Sequence, residues 1–255
     1  MEAVSVERRG GVALVRLTRP KTRNALGPEI KAGLAAAIPA LMADPNVRCL
    51  VLTGTEAAFC SGGDLARMDD RGAPAVRERL RASHAWARLL VMGETPVVAA
   101  VNGPAVGAGF SLAMLCDIVL VGQDAYFQAG FPAVGAVPDL GLALTLPRAI
   151  GMARARELLL TNRRIGAAEA VALGIAVRAC PPADLLAQAL ETADAIAAGP
   201  RPSLGLTKRL LNEAYGPIDR FLGEEGLSQA VAFGSDDFAE GVDAFLAKRK
   251  AAFRG

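Results

Sequence analysis

Residues 99–120 read AAVNGPAVGAGFSLAMLCDIVL, an apolar strand that runs into a Gly/Ala-rich turn at residues 106–109 and then straight into a helix. A turn of this kind brings backbone N–H groups to a helix N-terminus, where they can hold an oxyanion or a phosphate. A second such turn lies upstream in FCSGGDL, residues 59–65. Two turns supply two donors, and two donors can make an oxyanion hole. The stretch is equally informative for what it lacks, since no carboxylate lies between Asn102 and Leu115.

At 255 residues, of which 52% are hydrophobic, the chain is long enough for one full core or a domain plus an appendage. Net charge is +2, from 28 basic and 26 acidic residues with no long run of one sign, which argues against nucleic acid as the main partner. Cys49, Cys60, Cys116 and Cys180 are scattered without CxxC spacing and read as reduced core residues of a cytosolic protein. The N-terminal MEAVSVERRG has no apolar signal core. The mean hydropathy of +0.32 raises the question of a membrane span. The most apolar window, residues 97–121, is broken by Asn102, Gly103, Pro104, Ser111 and Asp117 and reads as a buried core instead.

Residues 4–7 and 12–17 flank Gly10-Gly11 and predict a β-hairpin. Pro28 opens a helix with the periodic run Ile30, Leu34, Ile38 and Leu41, which Asp44-Pro45 ends. Residues 48–53 and 97–101 are apolar strands, residues 75–92 carry helical spacing, and another helix is expected near Pro138. Repetition of strand, turn and helix suggests a stacked or spiral core. From Pro182 onward helices are expected over 185–198, 204–214, 221–233 and 238–253, a natural oligomerisation element.

Five blocks in order carry a family resemblance: RPKTRNAL from Arg19, FCSGGDL, VNGPAVGAGFSLAMLCDIVL, GAVPDLGLALTLPR and EGVDAFLAKRKAAFRG. They resemble the crotonase superfamily, the enoyl-CoA hydratase/isomerase family, from about residue 4 to the C-terminus. The resemblance implies an α/β fold, a crotonase-type spiral of repeated ββα units over residues 1–195. It also implies a helical C-terminal trimerisation region over 196–255, in a homotrimer or dimer of trimers. The implied ligand is a coenzyme A thioester, with coenzyme A as part of the substrate and no metal or redox cofactor.

By the same resemblance, Gly63 and Ala108 are the oxyanion N–H donors. A backbone donor tolerates alanine in place of glycine. Arg19, Lys21 and Arg23 match the family's basic N-terminal segment, and Ala25, Ser61, Asp64 and Leu65 match positions lining the pantetheine and adenine region. Lys250 and Phe253 resemble a basic–aromatic pair that reaches a neighbouring subunit's ligand; each is equally readable as a surface charge or a packing residue.

Hydratases of the family carry one glutamate in the helix after the second turn and another in a QPE segment. Here those substrate-lining positions fall on Ser111 and Phe131. Adding water across a double bond uses two carboxylates to orient the water and move its protons, which serine and phenylalanine cannot do. One acid remains in the matching block, Asp139 in GAVPDLG. Isomerases of the family resemble this chain in placing an acid there, and a double-bond shift needs a single base. Apolar neighbours Phe131, Val137 and Leu140 are expected to strengthen Asp139 as a base. The alternative is that Asp139 caps the helix after Pro138.

The sequence therefore points to an enoyl-CoA isomerase acting through a thioester enolate. A hydratase or another crotonase reaction with unconventional acids, and a catalytically degenerate acyl-CoA-binding protein, remain as rivals. His84 is the lone histidine, on a predicted helix, and without a second one neither a metal cluster nor a Ser/His/Asp triad is easily built. Ser61 and Ser111 have no base placed beside them as nucleophiles, Glu94 and Asp69-Asp70 read as solvated charges, and Asp117 as structural.

Overall fold

The computed structural model describes residues 2–55, 58–68, 70–199, 201–213 and 218–251. Strand β1 (Val4–Arg9) turns back on β2 (Val12–Leu17) as an antiparallel hairpin, with Val4 opposite Leu17 and Arg9 opposite Val12. Every later strand of this sheet pairs in parallel, which demands a crossover each time. Helix α1 (Pro28–Ala43) carries the chain from β2 to β3 (Cys49–Thr53), and α2 (Ala73–Met92) carries it on to β4 (Val97–Val101). The short β5 (Ala105–Val106) and α3 (Ala108–Met114) lead into β6 (Ile118–Gly122). After β7 (Tyr126–Gln128) come α4 (Leu142–Ile150), α5 (Met152–Thr161), β8 (Ile165–Gly166), α6 (Ala167–Leu173) and β9 (Arg178–Cys180). Helices α7 (Leu185–Ala197), α8 (Arg201–Glu213), α9 (Ile218–Phe233) and α10 (Asp236–Leu246) complete the chain.

The main sheet runs β1-β2-β3-β4-β6-β9, and β5-β7-β8 form a second, smaller one. Strands β3 and β4, CLVLT and VVAAV, are buried at every position. Such continuously apolar strands require cover on both faces. Alternate residues supply it: Ala13, Val15, Leu50, Leu52, Val97, Ala99 and Val101 join one core with α1 and α2. Val12, Leu14, Cys49, Val51, Val98 and Ala100 join another beneath α7. Each fully buried Leu, Ile or Val contributes about 1.5–3 kcal/mol relative to exposure. Helix α1 buries Ile30, Leu34, Ile38 and Leu41, the stripe its spacing predicts.

Two boundaries differ from expectation. The helix expected near Pro138 begins later, at Leu142, with Gly141 at its N-cap, because Leu140 (φ +46) and Gly141 (φ +79) both take the left-handed region. The helix expected over 238–253 ends at Leu246. Lys248 adopts φ +53, and its N–H donates to the Phe245 carbonyl while the Arg249 N–H donates to Ala244, the double bond of a Schellman stop. The strand β9 and helices α5 and α6 had no counterpart in the sequence reading.

The C-terminal helices do more than extend from the core. Helix α9 packs along α2, and α10 packs on the 3-10 turn Phe131–Val134. Leu206, Leu210, Leu211, Leu227 and Val231 leave an apolar surface exposed on α8 and α9. Among the described residues no helix is long and apolar enough to cross a membrane.

Candidate active site

The two turns singled out in the sequence lie side by side, joined backbone to backbone. Cys60 and Ala105 form a parallel bridge: the Cys60 N–H donates to the Pro104 carbonyl at 3.1 Å, and the Val106 N–H donates to the Cys60 carbonyl at 3.0 Å. Gly62 takes φ +100, and a Cβ there would stand 2.9 Å from the Val106 carbonyl oxygen and 3.8 Å from the Ala108 amide nitrogen. No other residue fits that conformation and that gap without strain. Gly107 is held across to the smaller sheet by its N–H donating to the Gln128 carbonyl at 3.0 Å. Ala108 is the first residue of α3, so its N–H has no acceptor within the helix. Among the described residues, no turn or loop carbonyl takes the N–H of Gly63 or of Ala108.

Gly63, Ala108 and Asp139 line one cavity of about 210 Å³ and meet again around a smaller one of about 30 Å³. The arrangement thus joins two backbone donors and one carboxylate from three distant segments. The Asp139 segment is positioned by Gln229 on α9, which is 1% exposed. Its side-chain amide donates to the Val137 carbonyl at 2.7 Å and accepts from the Val137 N–H at 3.4 Å. Helix α4 takes Gly141 as its N-cap, and the Leu142 N–H donates to the Asp139 backbone carbonyl at 3.1 Å, so Asp139 stands at the helix start as well as on the cavity wall.

The surroundings of Asp139 are not wholly apolar, as the sequence had suggested. Phe131 lines the larger cavity and Leu140 the smaller, Val137 lines neither, and Lys31 and Arg79 share the smaller one with Asp139. Burial pushes the Lys31 ammonium below the usual lysine range; Asp139 and Asp64 oppose that shift, and Arg79 reinforces it. Lys31 lies on α1 and Arg79 on α2, and neither was singled out in the sequence.

Among the other expected ligand residues, Ser61, Leu65 and Phe131 line the main cavity. Asp64 lines an adjoining one of about 250 Å³ together with Lys31, Arg67 and Arg79. Arg23 and Ala25 stand behind this wall: Arg23 is exposed, Ala25 is buried, and the Arg23 carbonyl accepts the Ser61 N–H at 3.0 Å. Arg19 and Arg67 both pair with Glu29, at 3.3 and 2.6 Å, while Lys21 is exposed. Ser111 is fully buried in α3, its hydroxyl bonded back to the Gly107 carbonyl at 3.2 Å, and it lines neither cavity that holds Asp139. The Ser61 hydroxyl donates to the Thr22 carbonyl at 3.1 Å. Lys250 is exposed and does not line the main cavity, and Phe253 lies outside the described residues.

His84 is half-buried on α2, where a Cβ at Gly226 would come within 3.9 Å of its ring. It does not line the cavities around Asp139. Glu94 pairs with Arg209 at 3.3 Å; Asp70 accepts the Gly72 N–H at 2.8 Å, and Asp69 lies outside the described residues. Asp117 is structural: it accepts the Val97 N–H at 2.8 Å and pairs at 2.8 Å with Lys208, itself bonded to the carbonyls of Leu90 and Thr95. No cluster of His, Cys, Asp or Glu suited to a metal occurs among the described residues.

Sequence reasoning missed several contributors. Asn24, fully buried at φ +55, donates to the Ala58 carbonyl at 2.9 Å and accepts the Arg19 N–H at 2.8 Å, pinning the basic segment beside the first turn. Asn162 ends α5 at φ +57 and accepts the Gly130 N–H at 2.6 Å on the cavity wall. An Asn just after LLLT is a helix-stop signal that could have flagged the position. Phe233, Phe238 and Phe245 line the same cavity, the first two stacked at 4.0 Å.

Comparison with known proteins agrees with this geometry. Residues 7–255 match the family model described as enoyl-CoA hydratase/isomerase. A protein of Thermus thermophilus named as an enoyl-CoA hydratase is 39% identical, over 98% of this chain and 100% of its own length. The crystal structure of an enoyl-CoA hydratase from Mycobacterium avium subsp. paratuberculosis superposes with a TM-score of 0.91 at 30% identity, over 99% of each chain. A monofunctional enoyl CoA isomerase from M. smegmatis superposes at 0.73 with 34% identity, over 88% of this chain and 99% of its own. The fold is that of the crotonase superfamily, and the chain belongs to the enoyl-CoA hydratase/isomerase family.

Proposed function

We propose that this enzyme is an enoyl-CoA isomerase that moves a double bond through a thioester enolate. The observation that carries the reading is the convergence of Gly63, Ala108 and Asp139 on shared cavities, with Ser111 bonded to its own helix and Phe131 presenting no acid. The thioester oxygen of a 3-enoyl-CoA sits at the N–H groups of Gly63 and Ala108. The Asp139 carboxylate removes a proton from C2; the electrons of that C–H bond delocalise onto the thioester oxygen as a dienolate. Asp139 then returns the proton to C4, leaving the 2-enoyl thioester. No net proton, water or electron enters or leaves. Removing one oxyanion donor costs roughly 10²–10³ in rate in enzymes of this kind, so the two turns contribute as much as the base.

The exposed apolar surface of α8 and α9 supports assembly as a homotrimer or dimer of trimers. Incubation with a 3-enoyl-CoA and, separately, a 2-enoyl-CoA tests the reading. Turnover of the first without hydration of the second is the expected result. A 3-hydroxyacyl product from the second would make the enzyme a hydratase, and binding without turnover of either would make it an acyl-CoA binder.

A further inference from the structure

The smaller cavity beside Asp139 has an unusual wall. Apolar side chains, Leu26, Val76 and Leu80 among them, share it with Ser83 and with two cations, Lys31 and Arg79. The Arg79 Nη2 is buried and has no hydrogen-bond partner. Buried polar groups are almost always paired, and an unsatisfied donor carries a desolvation cost that a bound group would remove. The cavity, about 30 Å³, has room for one oxygen-sized group. It touches Gly63, Ala108 and Asp139, so whatever occupies it is part of, or adjacent to, a thioester held at the two turns.

We infer that this enzyme acts on acyl groups bearing an uncharged acceptor oxygen, a ketone or hydroxyl, which enters the small cavity and accepts from Arg79 Nη2. The inference rests on the reading of the joined cavities as the acyl-CoA site. Charge selects the uncharged class. Asp139 and Asp64 are both close enough to act on Lys31, so the cavity already carries two carboxylates beside its cations. Arg67, nearby, is engaged by Glu29. A substrate carboxylate would add a third negative charge next to a base that must itself stay ionised. A neutral oxygen satisfies the guanidinium without that repulsion. A site built to hydrogen-bond a substrate oxygen rejects the analogue lacking it.

The test is binding, measured by calorimetry with saturated esters that cannot react: octanoyl-CoA, the same ester with one ketone walked from C4 to C7, and octanedioyl-CoA. One ketone position is expected to bind at least about tenfold tighter than octanoyl-CoA, with octanedioyl-CoA no tighter than octanoyl-CoA. Arg79→Met is expected to collapse the ketone-to-octanoyl ratio toward one. That ratio does not depend on the folded fraction of the variant, and the wild-type comparison stands by itself if R79M does not fold. Equal affinities across the ketone series, a preference that survives R79M, or tighter binding of the dicarboxylate would each overturn the inference. Because no ester in the set is turned over, failure of the isomerase reading leaves this result intact. A protein that binds none of the esters would instead remove the acyl-CoA reading itself.

Discussion

A Cβ at Gly109 would stand 2.0 Å from the carbonyl oxygen of Cys60. The helix carrying the second turn is therefore seated directly on the backbone of the first, and the separation of the Gly63 and Ala108 donors is set by that contact. Gly109→Ala forces the turns apart. Overpacking of this sort costs about 1–3 kcal/mol, so the melting temperature should fall by several degrees and turnover by more than the stability loss explains. A variant with wild-type melting and turnover would show that the contact does not govern the site.

Lys208, which is buried, pairs with the partly exposed carboxylate of Asp117 and so joins α8 to the start of β4. Lys208→Met leaves the carboxylate without its cation, a change that costs about 1–3 kcal/mol for a partly solvated group left without its partner. Burial already raises the Asp117 carboxyl above its ordinary value, against the pull of Lys208. A raised folded-state value means the charged form is penalised once the pH exceeds the ordinary carboxylate range. The deficit of K208M should therefore shrink as the pH is lowered toward that range, and Lys208→Met/Asp117→Asn should recover part of it. Chemical denaturation at pH 5 and pH 8 measures both.

The depressed Lys31 value runs the other way. Between it and the ordinary lysine value of 10.5, the unfolded chain holds more protons than the folded one, so stability rises with pH across that window. Wild type should gain stability relative to Lys31→Met as the pH rises from neutrality into that window. A pH-independent difference would contradict the burial of the ammonium.

Burial pushes the thiols of Cys49 and Cys60 up to about 12. Thiolate is the reactive form, so neither should be alkylated by iodoacetamide at pH 8 in the native protein, whereas both should label in denaturant. Rapid native labelling at Cys60 would place solvent behind the first turn.

The strands and turns were legible because their signals are local. VVAAV is continuously apolar, and SGGDL and AVGAG carry the glycines that a close backbone approach demands. Asp139 was legible as the acid left over once Ser111 and Phe131 had been set against the family pattern. What the sequence did not disclose is set by packing between distant segments. Gln229 reaches Val137 only because α9 lies along α2, and Lys31 meets Arg79 only because α1 and α2 lean together over Asp139. The early end of α10 depends on Lys248 taking a left-handed conformation that its residue type does not announce.

The most direct measurement is turnover of a 3-enoyl-CoA by Asp139→Asn, with affinity for the saturated thioester measured alongside. Loss of the single base should lower kcat by about 10²–10⁴ while thioester binding persists. Wild-type kcat in D139N would contradict the central claim, since proton transfer between C2 and C4 would then depend on another group.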